Sequence, residues 1–315
     1  MQNYRMIDHR LITLRTFASC GTIAATAELT GYSPSAISAQ FRELQKELGF
    51  DLLARDGRSL RLTAAGRLLI QGTDRMLADW EQLRAAALNA DDQVQSCLGL
   101  GGFSTSAAHL LAPLAANLRT GQPDVEVEVI EASPARCLDL LIAERIDLAV
   151  IVAMQAGHGM DEDGRFELVS LLDDPLDVVV PASHPMAGQR SVRLEELARE
   201  PWITDAPGSV YRALFVSAFT AIGYTPKIAH ESLEWDTMLA FVGAGLGVGL
   251  LPRLASLNGG FGVSRLRLVG ASCPTRRIVA AVRSGSRKSP LIRSSLAFLQ
   301  AEAKRISAER LAEDF

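Results

Sequence analysis

No stretch of about 18 consecutive apolar residues occurs in the 315-residue chain, so nothing in it reads as a membrane-spanning helix. The first residues, MQNYRMIDHR, lack the apolar core of a signal peptide, and the expected location is the cytoplasm. Cysteine is scarce: Cys20, Cys97, Cys137 and Cys273 lie far apart, with no CxxC pair. That usage fits unpaired thiols in a reducing compartment better than a disulfide framework. His9, His109, His158, His184 and His230 show no metal-ligand spacing, and neither a GxSxG nucleophile elbow nor a P-loop is present. No metal, no cofactor and no catalytic activity are therefore expected. A basic coat is missing too, since the net charge is −4. What remains, 48% hydrophobic and 22% charged residues, describes a globular chain of two or three domains.

Against that background one block stands out, residues 14 to 66. Its centre is a turn, Thr30-Gly31-Tyr32, followed by Ser33 and Pro34. Ser33 can cap a helix by accepting a backbone N–H, and Pro34 suits the first helical position, where no donor is missed. Ile37, Phe41, Leu44 and Leu48 then recur at helical spacing as one apolar stripe. The opposite face carries Ser35, Ser38, Ala39 and Arg42, which are small, polar or cationic. A helix of that shape can lie on the floor of a major groove. Upstream, Leu14, Phe17, Ala18, Ala25 and Leu29 supply two short helices to pack on the stripe. Downstream, 52–55 and 59–63 are strand-like runs joined by Asp56-Gly57-Arg58, a hairpin signal. The hairpin presents Arg55, Arg58 and Arg61 to phosphates or a minor groove, and Thr63 can cap the next helix. Residues 1–66 hold only two more basic than acidic side chains, so groove fit and pairing of readers must add to affinity.

This block resembles the DNA-binding domain of the LysR-type transcriptional regulators. Leu14, Phe17, Gly21, Ala27, Leu29, Ser33, Ala36, Ser38, Gln40, Leu44, Leu48-Gly49, Leu52, Arg55, Leu62-Thr63 and Gly66 carry the resemblance. Pro34 stands where the family usually has glutamine, Ala39 where it often has arginine, and Gln45 where it usually has glutamate. Pro34 and Ala39 lie on or beside the reading face, so the family's operator preferences do not transfer.

Residues 64 to about 90 read as one long helix. Leu69, Thr73, Met76, Trp80, Leu83 and Ala87 alternate at four and three residues, a narrow seam of the coiled-coil kind. Such a seam either pairs two chains or packs on its own domain; behind a DNA reader, a homodimer anchored by Leu69, Met76, Trp80 and Leu83 is favoured. The stretch NADDQVQ, residues 89–95, reads as a hinge. Beyond it, strand-like and helical runs alternate, as in a parallel sheet with helices on its faces. The resemblance extends over nearly the whole chain. It implies an α+β multi-domain protein: a winged helix-turn-helix (1–66), a linker helix and hinge (67–95) and an effector domain (96–305), then a tail (306–315). The effector domain would have two lobes, like the periplasmic binding proteins, with lobe I at 96–171 and 274–305 and lobe II at 172–273.

Between two such lobes strand ends and helix N-termini form the expected ligand site. Ser104, Thr105 and Ser106 lie in a turn from strand to helix, where hydroxyls and free N–H groups suit an anion or carboxylate. Family members bind effectors at this turn, at positions matching Ser104 and Ser106. Ser133, Thr204, Asp205 and Ser209 are further candidates; each could equally serve as a helix cap. The glycines from Gly243 to Gly249 fit no GxGxxG spacing and read as a tight helix-to-strand turn. The chain is thus expected to be a transcriptional regulator that binds double-stranded DNA and a polar or anionic metabolite, as a homodimer or homotetramer, without a membrane. An enzyme built on the α/β region and an architectural DNA-binding protein are the competing readings.

Overall fold

A computed structural model describes residues 7–57, 59–90, 97–153, 164–257, 260–270 and 273–311. They form two compact units. The first runs to Ile151 and regains the chain at 164–170 and 279–301; the second holds 152–153, 171–278 and the chain from Glu302. Strands β6 (Phe166–Pro181) and β12 (Thr275–Arg283) each contribute residues to both.

The first unit begins with α1 (His9–Cys20), α2 (Ile23–Thr30) and α3 (Pro34–Leu48), each ending in a left-handed glycine: Gly21, Gly31 and Gly49. Ser33 accepts from the Ala36 N–H at 3.2 Å with Pro34 at the first helical position, as expected. Ile37, Phe41 and Leu44 enter a core with Leu14, Phe17, Leu52 and Ile70, where Phe17 meets Phe41 edge-on at 5.6 Å. Leu48 departs from expectation: at the last turn of α3 it is 37% exposed, beyond the reach of that core. Strands β1 (Leu53–Asp56) and β2 (Ser59–Leu62) pair antiparallel, with Asp56 opposite Ser59 and Gly57 at positive φ in the turn. Gln45 locks the hairpin to α3, its side-chain oxygen accepting from the Leu52 and Leu53 N–H groups at 2.8 and 2.9 Å. Thr63 caps α4 (Ala64–Ala90) through the Gly66 N–H at 3.0 Å.

Helix α4 has two faces. Gly66, Ile70, Thr73, Leu77, Glu81 and Ala85 are buried against the rest of the first unit. Met76 and Leu83 are 53% and 60% exposed, Ala87 is exposed as well, and Leu69 and Trp80 are half-buried at the border. The seam expected from spacing therefore divides: Thr73 belongs to the internal face, because a 3.6-residue turn carries it toward Ile70 and Leu77. Of the expected hinge, Asn89 and Ala90 belong to the end of α4, and the rest lies outside the described residues.

The sheet of the first unit is built from β3 (Cys97–Gly102), flanked by β4 (Glu126–Glu131) and β5 (Leu148–Ala153), all parallel. Between β3 and β4 run α5 (Ser104–Ser106), a π turn (Ala107–Leu111) and α6 (Ala112–Gly121); α7 (Pro134–Ile142) joins β4 to β5. Arg283, buried, ties this sheet to the linker helix. It donates to Glu81 at 3.0 Å, to Asp147 at 2.8 Å and to the Ile146 carbonyl at 2.6 Å.

In the second unit β6 pairs antiparallel with β10 (Val248–Pro252) and β11 (Val263–Val269). Strand β10 continues in parallel to β8 (Pro201–Thr204) and then β9 (Lys227–Glu231), while β7 (Ser191–Arg193) adds to β11. Trp202 packs on Phe215 and Phe219 of α8 (Val210–Ala221) at 5.5 and 5.1 Å, the centre of its core. Helix α9 (Trp235–Gly243) turns into β10 through the glycine-rich tract, where Gly245 is left-handed. A side chain on Gly243 would come within 1.8 Å of the Phe261 carbonyl oxygen. Gly243→Ala is expected to destabilise this unit by about 1–3 kcal/mol, the usual cost of overpacking; an unchanged midpoint in urea would contradict it. Helix α10 (Pro290–Ile306) completes the regular structure.

Strands β6, β7, β9 and β11 show the limits of local sequence patterns, which mark only 176–181 as a strand among them. No helix among the described residues is long and apolar enough to cross a membrane.

Candidate nucleic-acid interface and ligand-binding edges

The charges of the reader divide into two sets. Arg10 is held by Asp8 and, at 2.6 Å, by Glu47. Arg15 is buried and paired with Asp74 of α4. These two cations act within the protein. Arg42, Lys46, Arg55 and Arg61 are exposed or half-exposed, Arg42 on α3 and Arg55 and Arg61 on the hairpin strands. Arg58 lies outside the described residues.

The polar face of α3 is assembled by its own first turn. Ser33, Pro34 and Ser35 are exposed, Ser38 and Ala39 half-exposed. The Ser33 hydroxyl is engaged in the cap and lies 3.0 Å from that of Ser35. Ser38 donates to the Pro34 carbonyl at 2.9 Å, which leaves its lone pairs available to an outside donor. A face with a short polar N-terminal half, one arginine two turns further on and a cationic hairpin can bind base edges and phosphates together.

In the first unit, the parallel register ends β3, β4 and β5 on one edge, with Gly102 beside both Glu131 and Val150. Ser104, Thr105, Ser106 and Ser133 follow directly from that edge. Ser106, expected as a ligand contact, is turned toward the interior. It is fully buried, its hydroxyl donating to the Phe103 carbonyl at 2.8 Å with the Val150 carbonyl at 3.4 Å. Gly102 permits this turn, since a Cβ there would lie 2.5 Å from the Ser106 oxygen. Ser104 is half-buried and Thr105 buried; Ser133 is exposed and caps α7 through the Arg136 N–H at 3.3 Å.

The second unit has an edge of its own. Thr204 ends β8 in register with Glu231 of β9, and the Ser232 N–H donates to the Thr204 carbonyl at 2.9 Å. Among the described residues its buried hydroxyl has no hydrogen-bond partner, an arrangement that normally costs stability unless something else satisfies it. Asp205 accepts from the Ala206 N–H at 2.6 Å, and Ser209 caps α8 through the Arg212 N–H at 2.9 Å. Arg212, which no sequence signal singled out, braces this edge. It donates to the Asp205 carbonyl at 2.7 Å and to Glu231 at 3.2 Å.

None of the four cysteines forms a disulfide, and burial pushes the Cys137 thiol up to about 12, far from a reactive thiolate. Among the described residues, no group of three or more His, Cys, Asp or Glu is placed to hold a metal ion.

Residues 9–67 match the model of the bacterial regulatory helix-turn-helix proteins, lysR family, and residues 91–304 match the LysR substrate binding domain. The HTH-type transcriptional regulator CysB of Burkholderia cenocepacia is 30% identical over 237 residues, 74% of this chain and 73% of that protein. Among solved structures, a full-length OxyR variant from Pseudomonas aeruginosa aligns over 96% of both chains with a TM-score of 0.63 at 21% identity. The effector binding domain of QuiR in complex with shikimate aligns over 67% of this chain and 99% of that one, with a TM-score of 0.58 at 24% identity.

Proposed function

Because the chain belongs to the lysR family of bacterial regulatory helix-turn-helix proteins, we propose that it reads duplex DNA through α3 and the β1–β2 hairpin, as half of a homodimer. It is a DNA-binding transcriptional regulator, not an enzyme, and a small-molecule effector modulates its activity. Regulators of this family oligomerise; pairing through α4 is the specific form proposed for this chain.

One observation carries the DNA contact: Ser35, Ser38, Ala39 and Arg42 lie outward on the helix whose other face fills the reader's core. The N-terminal half of α3 enters the major groove, Arg42 reaches a base edge or phosphate, and Arg55 and Arg61 neutralise phosphates alongside. Arg42→Ala is expected to weaken binding to a footprinted site by about 1–3 kcal/mol. Arg55→Ala should lower the slope of log affinity against log salt by about 1. Both are read by titration at several salt concentrations, and an unchanged affinity and slope in both variants would remove this face from the interface.

The effector is a polar or anionic metabolite, the chemistry suited to the Thr204 hydroxyl and to backbone N–H groups at the strand ends beside it. In the QuiR structure the bound molecule is shikimate, a hydroxylated carboxylate, which supports the class. Calorimetry against a panel of small hydroxy acids should find a ligand whose heat is lost in Thr204→Val. That change keeps the shape and removes a hydroxyl with no partner among the described residues. Silence across the panel would favour an architectural DNA-binding role.

A further inference from the structure

One helix of the effector-binding region meets the DNA reader along its flank. Arg136 of α7 donates to Glu28 of α2 at 2.8 Å. Asp139 accepts from the Ser19 hydroxyl of α1 at 2.5 Å. The carbonyl of Ile142, the last residue of α7, accepts from the buried Arg15 guanidinium at 3.4 Å. Residues 136 and 139 are three apart, so their side chains share one side of the helix. Arg145, just beyond it, donates to the Leu29 carbonyl at 3.5 Å. The other end of α7 is Ser133, its cap, on the edge assigned above to the ligand. Nine helical residues, about 13 Å, separate the two ends.

We propose that α7 is the positioning element for DNA reading: it seats the reader on the effector-binding region, and occupancy of the edge at Ser133 moves the reader by moving α7. The second half of this statement rests on the ligand reading above; the seat itself does not. An exposed pair such as Glu28–Arg136 is weak alone, with side chains 73% and 31% exposed, so the seat depends on the contacts acting together. The seat engages α1 and α2, while Ser35 and Arg42 on α3 remain exposed. Seating and DNA binding are therefore compatible, and the seat fixes where the reading helix points. Arg15 strengthens the geometry, because it also pairs with Asp74 of α4 and so joins reader, linker and α7 at one guanidinium.

The test uses the full chain, with donor and acceptor dyes on non-natural amino acids at the exposed Glu43 and Thr120, diluted into unlabelled protein. The native protein should give a single narrow transfer efficiency. Ser19→Glu with Glu28→Arg places like charges against Asp139 and Arg136, and should replace that population with a broad, shifted one. Adding Arg136→Glu and Asp139→Arg reverses every pair and should restore the narrow population, a rescue that misfolding could not produce. Ser133→Trp, a bulky stand-in for a ligand, should shift the efficiency in the native background and leave the broken-seat variant unmoved. A narrow distribution surviving the two reader substitutions, or no recovery on reversal, overturns the seat. A Ser133→Trp chain with native efficiency overturns the relay, whether or not calorimetry has found a ligand.

Discussion

Asp177→Ala is expected to destabilise the second unit by about 3–5 kcal/mol, the usual consequence of removing one partner of a buried ion pair. Asp177 has no solvent exposure and receives two parallel bonds from Arg253, each 3.0 Å, plus the Leu268 N–H at 3.2 Å. Its neighbour Asp174 is equally buried, taking Arg276 on one oxygen and the Leu254 N–H at 3.0 Å on the other. Alanine at 177 would remove this carboxylate from the buried Arg253 guanidinium and leave that charge close to the like charge of Arg265. The penalty is mainly that stranded charge, not the intrinsic strength of the pair. Asp177→Leu with Arg253→Met should therefore recover most of the loss, as replacing both ions often does. Urea unfolding followed through Trp202, which is fully buried in this unit, reads the effect. A loss below about 1 kcal/mol for Asp177→Ala would mean that water reaches the pair and screens it.

Met76→Glu with Leu83→Glu should give a monomer by sizing chromatography. Operator affinity should fall by roughly 10²–10⁴-fold, the scale set by losing one of two linked contacts. Both side chains project from α4 away from its buried face, at 53% and 60% exposure, and Leu68 on the same helix is 68% exposed. An apolar stripe of this kind on a helix that already buries its opposite side calls for a second partner surface. These two positions test the pairing better than Trp80→Arg, because Trp80 is half-buried and its loss would also disturb the unit's own packing. A double variant that remains dimeric while folded would place the pairing surface elsewhere.

The reader was legible almost residue by residue. Its signals are local: a serine and proline at a helix start, apolar spacing of three and four, an Asp-Gly turn, a threonine before the next helix. Each acts over a few residues, and the chain obeys it wherever the core lies. Strand β6 was half missed for the opposite reason. The run Asp173-Asp174-Pro175 reads as a break, yet the chain stays extended through it. Asp174 is accommodated there by Arg276, and Asp177 by Arg253, partners that arrive from far along the chain. No pattern within β6 announces them. Gln45 looked like a mere departure from the family's glutamate, and its hold on the Leu52 and Leu53 N–H groups appears only when the hairpin folds back.

Local sequence patterns were enough for the helix-turn-helix, the long linker helix, the α/β character of the effector-binding region and the residue types at the candidate ligand edges. Helix and turn preferences and apolar periodicity are properties of neighbouring residues, and they survive in any context. Only long-range packing sets which side of α4 stays open, that Ser106 turns inward while the Thr204 hydroxyl has no partner among the described residues, and that Arg15 faces Asp74 and Ile142 instead of DNA. Those outcomes depend on which distant surfaces meet. The N-terminal block therefore gives this protein its role, and packing against α7 and α4 gives that block its position.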